Sequence, residues 1–296
     1  MKVNYIDAKK IVYPVKHSEG WFGVSYNMNI YRGCHHGCIY CDSRSDVYQI
    51  KNFDEVKTKK NVKQKLESEL ITKKKTGIIG MGAMSDPYNK FESELGLTRE
   101  SLKLIDKYGF GVNIVTKSDL IVRDLDILKR IQKHSSVIVC MTITTYDDEL
   151  AKIIEPGAPT TTARFKALEE LVKCDIYSGI TLMPILPKIN DNTENIEKII
   201  KKAGEIGAEF ISPFYGLTLR KGQREYFYDK LNRYFIGATD FYQKQFGSDY
   251  SCHSTNNKQL YELTEKLCNK FSIKYKMKDI IDKSRDYVIE GQISLF

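Results

Sequence analysis

The stretch Arg32-Gly33-Cys34-His35-His36-Gly37-Cys38-Ile39-Tyr40-Cys41 decides the fold of this chain and what it can bind. Its three cysteines, Cys34, Cys38 and Cys41, follow the spacing Cys-x3-Cys-x2-Cys. Three thiolates at this spacing can hold three irons of a [4Fe–4S] cluster, whereas a cluster that only carries electrons normally takes four cysteine ligands. The pattern therefore predicts a cluster with one iron left open to a small molecule.

Two other interpretations of the three cysteines stay open on the sequence alone. Cys34, Cys38 and Cys41 together with His35 or His36 could form a Cys3His zinc site. The cysteines could also be structural thiols in a turn.

Composition sets the class of protein. With 296 residues, of which 42% are hydrophobic and 28% charged, the chain can bury a sizeable core as a globular protein. Residues 1–7 lack the apolar core of a signal peptide, and no apolar run is long enough to cross a bilayer. Seven cysteines, three of them clustered, suit a reducing compartment. We therefore expect a cytoplasmic protein with no membrane partner.

The net charge of +8 is concentrated in two stretches. Residues 51–75 carry nine Lys against four Asp or Glu, which gives +5. A second group lies in residues 220–233, where five Lys or Arg face Glu225 and Asp229, which gives +3. Either stretch could meet phosphates, or could be a solvated helix face.

Strand-like and helix-like segments alternate between residues 25 and 214. The predicted strands are Val24–Ile30, Gly77–Gly82, Gly111–Thr116, Val137–Thr144, Ile176–Pro184 and Glu209–Pro213. The predicted helices are Val62–Ile71, Thr98–Tyr108, Asp124–His134, Thr162–Lys173 and Thr193–Ile206. Strands that are apolar at nearly every position are typical of a parallel sheet covered by helices.

Six such βα units predict an α/β fold, a partial (β/α)6 TIM-like barrel with a C-terminal helical extension. We expect an N-terminal segment over residues 1–24, the barrel over 25–214 and the extension over 215–296. In the extension, aromatic residues such as Tyr228 and Tyr242 recur at helical spacing, which favours core packing over stacking on bases.

Polar side chains follow several of the predicted strands. Ser85 and Asp86 follow the second, Lys117 the third, and Thr142 and Thr144 end the fourth. Because the carboxyl ends of parallel strands meet at one edge, we expect these groups to lie near the cysteine motif.

Residues 25–215 resemble the spore photoproduct lyase branch of the radical S-adenosylmethionine (SAM) superfamily, and more closely the lyase-like proteins described as DNA repair photolyases. The residues that carry this resemblance are Asn29–Cys41, Ser85-Asp86-Pro87-Tyr88, Thr116-Lys117-Ser118-Asp119 and Arg123-Asp124. The resemblance implies a [4Fe–4S] cluster and SAM as cofactors, reductive cleavage of SAM to a 5′-deoxyadenosyl radical, and a reductant such as flavodoxin or ferredoxin.

The resemblance also implies roles for individual residues. Cluster ligands would be Cys34, Cys38 and Cys41, and SAM contacts would be Tyr40, Ser85, Lys117, Thr142 and Thr144. Tyr40 would lie beside the adenine and Lys117 near the carboxylate, while one of the two threonines would contact the ribose.

One position departs from the family pattern. Spore photoproduct lyase has a hydrogen-donating Cys two residues before its Ser-Asp pair, and this chain has Ala83 there. Alanine cannot donate a hydrogen atom, so the catalytic donor stays unknown. Cys140, Cys174 and Cys252 are alternatives, although each is better interpreted as a small buried hydrophobe.

The chain ends in Gln292-Ile293-Ser294-Leu295-Phe296, which resembles the peptide Gln-Leu-Ser-Leu-Phe by which bacterial DNA polymerases and repair proteins bind the sliding clamp. A terminal segment packed on the protein's own core is the competing interpretation. With the clamp-like peptide, the leading hypothesis is a radical SAM enzyme acting on damaged DNA. The alternatives are a radical SAM enzyme that modifies RNA or protein, and a non-catalytic nucleic-acid or clamp adaptor with a structural metal.

Overall fold

The computed structural model describes residues 3–16 and 20–288, so the clamp-like peptide lies outside the described residues. The strands are β1 (Asn4–Ile6), β2 (Val12–Pro14), β3 (Val24–Met28), β4 (Tyr31–Arg32), β5 (Lys57–Lys59), β6 (Ile78–Met81), β7 (Gly111–Thr116), β8 (Val137–Thr142), β9 (Ser178–Leu182), β10 (Phe210–Pro213), β11 (Gly216–Thr218) and β12 (Ser251–His253).

The α-helices are α1 (Val62–Ile71), α2 (Glu92–Leu95), α3 (Leu97–Lys107), α4 (Leu125–Gln132), α5 (Asp148–Ile154), α6 (Thr161–Lys173), α7 (Thr193–Glu205), α8 (Gln223–Tyr234), α9 (Ala238–Phe246), α10 (Asn257–Phe271) and α11 (Met277–Ser284). Every predicted barrel strand and helix is present, with ends within two residues of the prediction.

The main sheet has the strand order β10-β9-β8-β7-β6-β3-β2. Its six central βα strands are parallel, and β2 runs antiparallel to β3 at the edge. Strands β8 and β9 are buried along their whole length, as expected of parallel strands covered on both faces. The α/β fold class, a partial (β/α)6 TIM-like barrel with a helical extension, is confirmed.

The two faces of the sheet are packed differently. On β8, Val139 and Met141 pack with the helices in the main core, whereas Ile138 and Cys140 pack on the inner face with Phe22 and neighbours from other strands and α11. Apolar residues therefore fill one end of the barrel interior, and the polar groups of the strand ends lie at the other.

The sequence did not predict a second, three-stranded sheet with the order β1-β5-β4. Strand β5 pairs in parallel with β1 and antiparallel with β4. Lys57 and Lys59 of the lysine-rich stretch therefore lie in a strand beside the cysteine motif, and Lys63 and Lys65 lie in α1.

The Tyr-rich region after β10 packs on the barrel. Helix α10 lies against α7, and β11 pairs with β12. The helical stripe contributes buried Leu231, Ala238 and Tyr242 to an apolar cluster that also contains Cys38 and Tyr40. Core packing of that stripe is confirmed, and its neighbour is the cysteine motif.

None of the helices within residues 3–16 and 20–288 has both the length and the apolar character needed to cross a bilayer.

Candidate functional site

The cysteine loop follows β4 and is held by main-chain hydrogen bonds. The amide of Cys34 donates to Phe53 O at 2.9 Å, and the amide of Ile39 donates to Ile154 O at 2.9 Å. Gly33 has φ +82°, and a Cβ there would lie 2.6 Å from Phe53 O, so this position requires glycine. The loop is therefore fixed between the segment before β5 and the end of α5.

All three cysteines are free thiols, with Cys38 buried and Cys34 and Cys41 half-buried. Burial raises the pKa of Cys34 to about 11 and that of Cys38 to about 12, although Lys117 opposes the second shift. These thiols are protonated near neutral pH without metal, so binding iron as thiolates releases their protons.

The two histidines of the loop face the segment after β6. His36 Nδ1 lies 3.5 Å from Asp86 Oδ2, and His35 Nδ1 accepts a hydrogen bond from the Lys90 amide at 3.4 Å. Burial lowers the pKa of His35 to about 4 and also lowers that of His36, so both are neutral at pH 7.

The described residues do not present a preformed Cys3His zinc site. In a single tetrahedral zinc site the sulfur atoms lie about 3.8 Å apart, given a Zn–S distance of about 2.3 Å. Within the described residues, no three His, Cys, Asp or Glu side chains are gathered as one metal ion would need. A [4Fe–4S] cluster takes one thiolate per iron, so its ligands need not meet in this way.

Asp86 connects the loop after β6 to the end of β7. Its Oδ1 accepts from the Tyr88 amide at 2.9 Å and from Thr116 Oγ1 at 2.8 Å. Its Oδ2 accepts from the Lys117 amide at 2.9 Å. Both carboxylate oxygens are thus taken by the protein, and Asp86 positions the site rather than offering a free acceptor.

Lys117 is half-buried beside the cysteine loop, with Nζ 5.6 Å from the centre of the Tyr40 ring. Burial lowers the pKa of Lys117, but the neighbouring Cys38 and Glu155 outweigh burial and raise it above its usual value. The side chain is therefore an ammonium that can receive an anionic group.

A buried ion pair that sequence reasoning missed lies next to Lys117. Glu155 and Arg164 are 1% and 0% exposed, and Arg164 Nη1 lies 2.5 Å from Glu155 Oε2. Glu155 Oε1 accepts from Tyr40 Oη and, at 3.2 Å, from Thr144 Oγ1. Arg164 Nη1 also donates to Thr142 O at 3.1 Å. The pair therefore fixes Tyr40 against the end of β8.

The sequence could have indicated Arg164, because it is a charged residue on the apolar face of a predicted helix. It lies one turn before Leu168 on the buried face of α6, where an unpaired arginine would be costly. Glu155 gave no comparable signal, because the turn Glu155-Pro156-Gly157 is typical of an exposed loop. In the structure Gly157 contacts the cysteine loop, and a Cβ there would lie 2.2 Å from His35 O.

The remaining predicted SAM contacts lie at the strand ends. Thr142 Oγ1 is 2.8 Å from Thr181 Oγ1, and both side chains are buried. Ser85 is 7% exposed, and its Oγ has no hydrogen-bond partner among the described residues. An unbonded buried hydroxyl of this kind is suited to a ligand. The roles of Tyr40, Ser85, Lys117, Thr142 and Thr144 toward SAM stay predictions.

The candidate hydrogen donors lie in different environments. Ala83, which occupies the position of the donating Cys in the family pattern, is exposed on the loop after β6. Cys140 is fully buried on β8, where burial raises the pKa of its thiol and its Sγ accepts from Asn113 Nδ2 at 3.3 Å. Cys252 is buried in the extension, and burial raises its pKa to about 11. Cys174 is half-buried at the end of α6.

The extension contacts the cysteine loop directly. Gln223 Nε2 donates to Tyr40 O at 2.8 Å and to Thr218 O at 2.7 Å. Arg224 donates to the carbonyls of Leu219 at 3.1 Å and of Gly247 at 2.9 Å, so the structure uses it to hold the extension together.

Comparison with known proteins identifies the family. Residues 28–204, more than half of the chain, match the radical SAM superfamily. An uncharacterised protein of Methanocaldococcus jannaschii is 36% identical over 186 residues, which cover 63% of this chain and 68% of that protein. An uncharacterised protein of Mycobacterium tuberculosis is 29% identical over 209 residues, which cover 68% of this chain and 61% of that protein.

Solved structures share the fold. A spore photoproduct lyase complexed with dinucleoside spore photoproduct superposes with a TM-score of 0.62 at 13% identity, covering 90% of this chain and 79% of the lyase. The methyltransferase TsrM from Kitasatospora setae, with tryptophan substrate and a SAM analogue, gives a TM-score of 0.55 at 10% identity, covering 88% of this chain and 60% of TsrM.

The radical SAM superfamily uses a [4Fe–4S] cluster and SAM, and the residues present fit both. Three free thiols on a fixed loop suit the cluster, and the unbonded Ser85 hydroxyl and the Lys117 ammonium lie on the two neighbouring strand ends. The arrangement at these strand ends and the match over residues 28–204 agree: this chain belongs to the radical SAM superfamily.

Proposed function

We propose that this protein is a radical SAM enzyme that acts on damaged DNA in a lyase-like repair reaction. The observation that carries the proposal is the convergence of Cys38, Tyr40 and Lys117 at the open end of a barrel that superposes on a lyase complexed with a dinucleoside lesion. When bound, the cluster and SAM supply a carbon radical that can remove a hydrogen atom from an unreactive C–H bond.

The chain's own residues bind and orient in this proposal. Cys34, Cys38 and Cys41 would hold the cluster, and Lys117 would bind the SAM carboxylate. Tyr40, fixed by Glu155, would support the adenine. Glu155, Arg164 and Tyr40 are almost fully buried, so they also exclude water from that side.

Anaerobic reconstitution tests the chemistry. The protein should turn brown, bind about four irons per chain and form 5′-deoxyadenosine with dithionite. The Cys38→Ala variant should lose iron and product, whereas Cys174→Ala, which changes a half-buried thiol at the end of α6, should keep both. A colourless protein that holds only zinc would contradict the proposal.

Cellular DNA tests the substrate. A deletion strain should accumulate a lesion after ultraviolet exposure that mass spectrometry detects and the wild-type gene removes. The same fold occurs in TsrM, which was solved with tryptophan as substrate, so a second candidate is the same radical chemistry on a substrate other than DNA, either RNA or protein. Modified nucleotides or peptides missing from the deletion strain, with unchanged DNA, would favour that candidate. Membership in the superfamily favours either enzyme over a non-catalytic adaptor.

Two partners complete the proposal. A small electron carrier such as flavodoxin or ferredoxin would replace dithionite, which an assay with the reduced carrier tests.

The peptide Gln292–Phe296 would bind a bacterial sliding clamp through apolar Leu295 and Phe296, with Gln292 donating a side-chain hydrogen bond. Protein lacking residues 292–296, or carrying Leu295→Ala with Phe296→Ala, should no longer bind immobilised clamp. Unchanged clamp binding would remove this partner.

A further inference from the structure

A cavity of about 320 Å³ lies directly beside the candidate site. Its inner wall contains Asn29, Met84 and Ser85, from the segments that follow β3 and β6. Ser85, whose buried hydroxyl has no hydrogen-bond partner among the described residues, is one of these lining residues, and exposed Ala83 comes two residues earlier on the same loop. The volume falls within the range of about 300–1,000 Å³ that small-molecule sites occupy.

The outer wall is formed by the three-stranded sheet and is basic. Arg32 on β4 and Lys59 on β5 line the cavity, and Lys57 pairs directly with Arg32 across the two strands. Like charges directly opposite one another on antiparallel strands destabilise a sheet. Three cations at this place therefore cost stability when nothing negative lies between them, which is typical of an anion-binding surface.

Two acidic groups at or near the cavity offset only part of this charge. Asp7 also lines the cavity, and its Oδ2 lies 3.3 Å from Lys60 Nζ. The two oxygens of Glu69 accept hydrogen bonds from the amides of Ile11 and Val12, both at 2.8 Å. The cavity lining thus carries two cations, Arg32 and Lys59, against the single carboxylate of Asp7, so it keeps a net positive charge that a phosphate can meet.

An exposed aromatic ring stands at the mouth. Tyr13 lines the cavity and is 44% exposed, and Lys59 Nζ lies 5.9 Å from the centre of its ring. An aromatic face beside a cation is the arrangement that single-stranded nucleic-acid sites use, because a base stacks on the ring while its phosphate meets the cation.

We infer that this cavity seats one nucleotide of a single nucleic-acid strand, with its phosphate at Arg32 and Lys59 and its base against Tyr13. The inference rests on the proposed function and specifies where its substrate binds.

The test uses the reconstituted protein with SAM and a fluorescein-labelled 12-nucleotide single strand, as DNA and as RNA of the same sequence. Fluorescence anisotropy should show binding at least about ten-fold weaker for the double variant Arg32→Gln, Lys59→Gln, with a smaller slope of log K against log salt concentration. Tyr13→Ala should weaken binding about five-fold or more. The double variant Lys173→Gln, Lys201→Gln removes the same charge from α6 and α7 and should bind like wild type.

Two further measurements distinguish a loss of binding from a folding defect and from a failure of the proposed chemistry. The charge-conserving variant Arg32→Lys, Lys59→Arg should restore most of the affinity, which a folding defect would not allow. Weaker binding of either strand type through these residues supports the inference, and equal binding by the Gln double variant and wild type overturns it. Formation of 5′-deoxyadenosine without nucleic acid is measured on the same samples. Its absence in wild type would contradict the proposed chemistry separately from the cavity.

Discussion

The carboxylate of Asp86 accepts a hydrogen bond from the main-chain amide of Lys117 at 2.9 Å, so the loop after β6 sets the position of the lysine that follows β7. The same carboxylate lies 3.5 Å from His36 in the cysteine loop. One buried side chain thus connects the cysteine loop with two strand ends. The geometry of the candidate site depends on Asp86, although this residue has no free oxygen for a ligand.

Asp86→Asn should destabilise the protein. The NH2 group of asparagine cannot accept a hydrogen bond, so at least one of the main-chain or hydroxyl donors that now bond to the carboxylate would lose its acceptor. A buried donor without an acceptor costs about 1–3 kcal/mol. Urea unfolding of the metal-free protein measures this change. Asp229→Asn is the matched control, since Asp229 is 62% exposed and its effect should stay within about 0.5 kcal/mol. Equal values for the two variants would contradict the role of Asp86.

Glu155→Gln should be more damaging. It removes the only carboxylate that the described structure places against Arg164, and breaking a buried pair from one side costs about 3–5 kcal/mol. Thermal or urea unfolding of metal-free protein measures the loss. Glu149→Gln changes the same residue type on α5, where the side chain is 79% exposed, and should be nearly neutral. A loss of less than about 1 kcal/mol for Glu155→Gln would show that the pair contributes little.

Acid should reduce the difference between wild type and Glu155→Gln. Burial alone would raise the pKa of Glu155, but Arg164, Lys117 and the Tyr40 hydroxyl outweigh it and lower the pKa below its usual 4.5. A carboxyl whose pKa is lower in the folded state stabilises the fold above the unfolded pKa, and this contribution is lost as the pH falls through the folded pKa. Unfolding free energies should therefore differ most at pH 6–7 and converge below about pH 4.5. A constant difference down to pH 3 would contradict this linkage.

Lys117→Gln should weaken SAM binding while leaving the iron content unchanged. A hydrogen bond to a charged group contributes about 1.5–3 kcal/mol, which corresponds to about a ten-fold or larger rise in the SAM Kd. Equilibrium dialysis with labelled SAM on reconstituted protein measures it. Lys166→Gln, exposed on α6, is the control. Loss of iron from Lys117→Gln would place its effect on the cysteine loop instead.

Gln223→Ala should loosen the cysteine loop. It removes two hydrogen bonds, one of them to Tyr40 O, and leaves a buried carbonyl without this donor. Hydrogen exchange of the amides around Tyr40 should become faster in metal-free protein, and the reconstituted protein should lose iron sooner to a chelator. Gln243→Ala on the exposed side of α9 is the control. Unchanged exchange around Tyr40 would show that the extension does not hold the loop.

The barrel could be predicted because most positions of its strands are apolar, as in Val137–Thr142, and helical periodicity lies between them. The three-stranded sheet β1-β5-β4 could not be predicted from the sequence. Strand β5 is only Lys57-Thr58-Lys59, and its lysines resembled a solvated surface. Its pairing with β1 joins residues more than fifty positions apart, and such a contact leaves no local pattern.

The candidate site was predictable to the extent that motifs carry it. The sequence predicts that Lys117 lies near the cysteine motif, and the structure places it close to Cys38. The motif Arg123-Asp124 marked the family, but its side chains pair with Glu92 and with each other, and Glu92 accepts from the Tyr31 hydroxyl. Through Glu92, that motif therefore supports Tyr31, where the chain enters the cysteine loop, and the sequence motif alone does not reveal this role.

The hydrogen bond from Gln223 to Tyr40 O spans 183 positions of sequence. During synthesis, the cysteine loop leaves the ribosome long before α8 exists to complete its support. A nascent chain that ends before Gln223 would present three free thiols on a loop without its final partner. Assembly of the metal centre is thus ordered in time: iron delivered after the chain is finished meets a formed site, and iron or oxidants that arrive earlier meet an unfinished one.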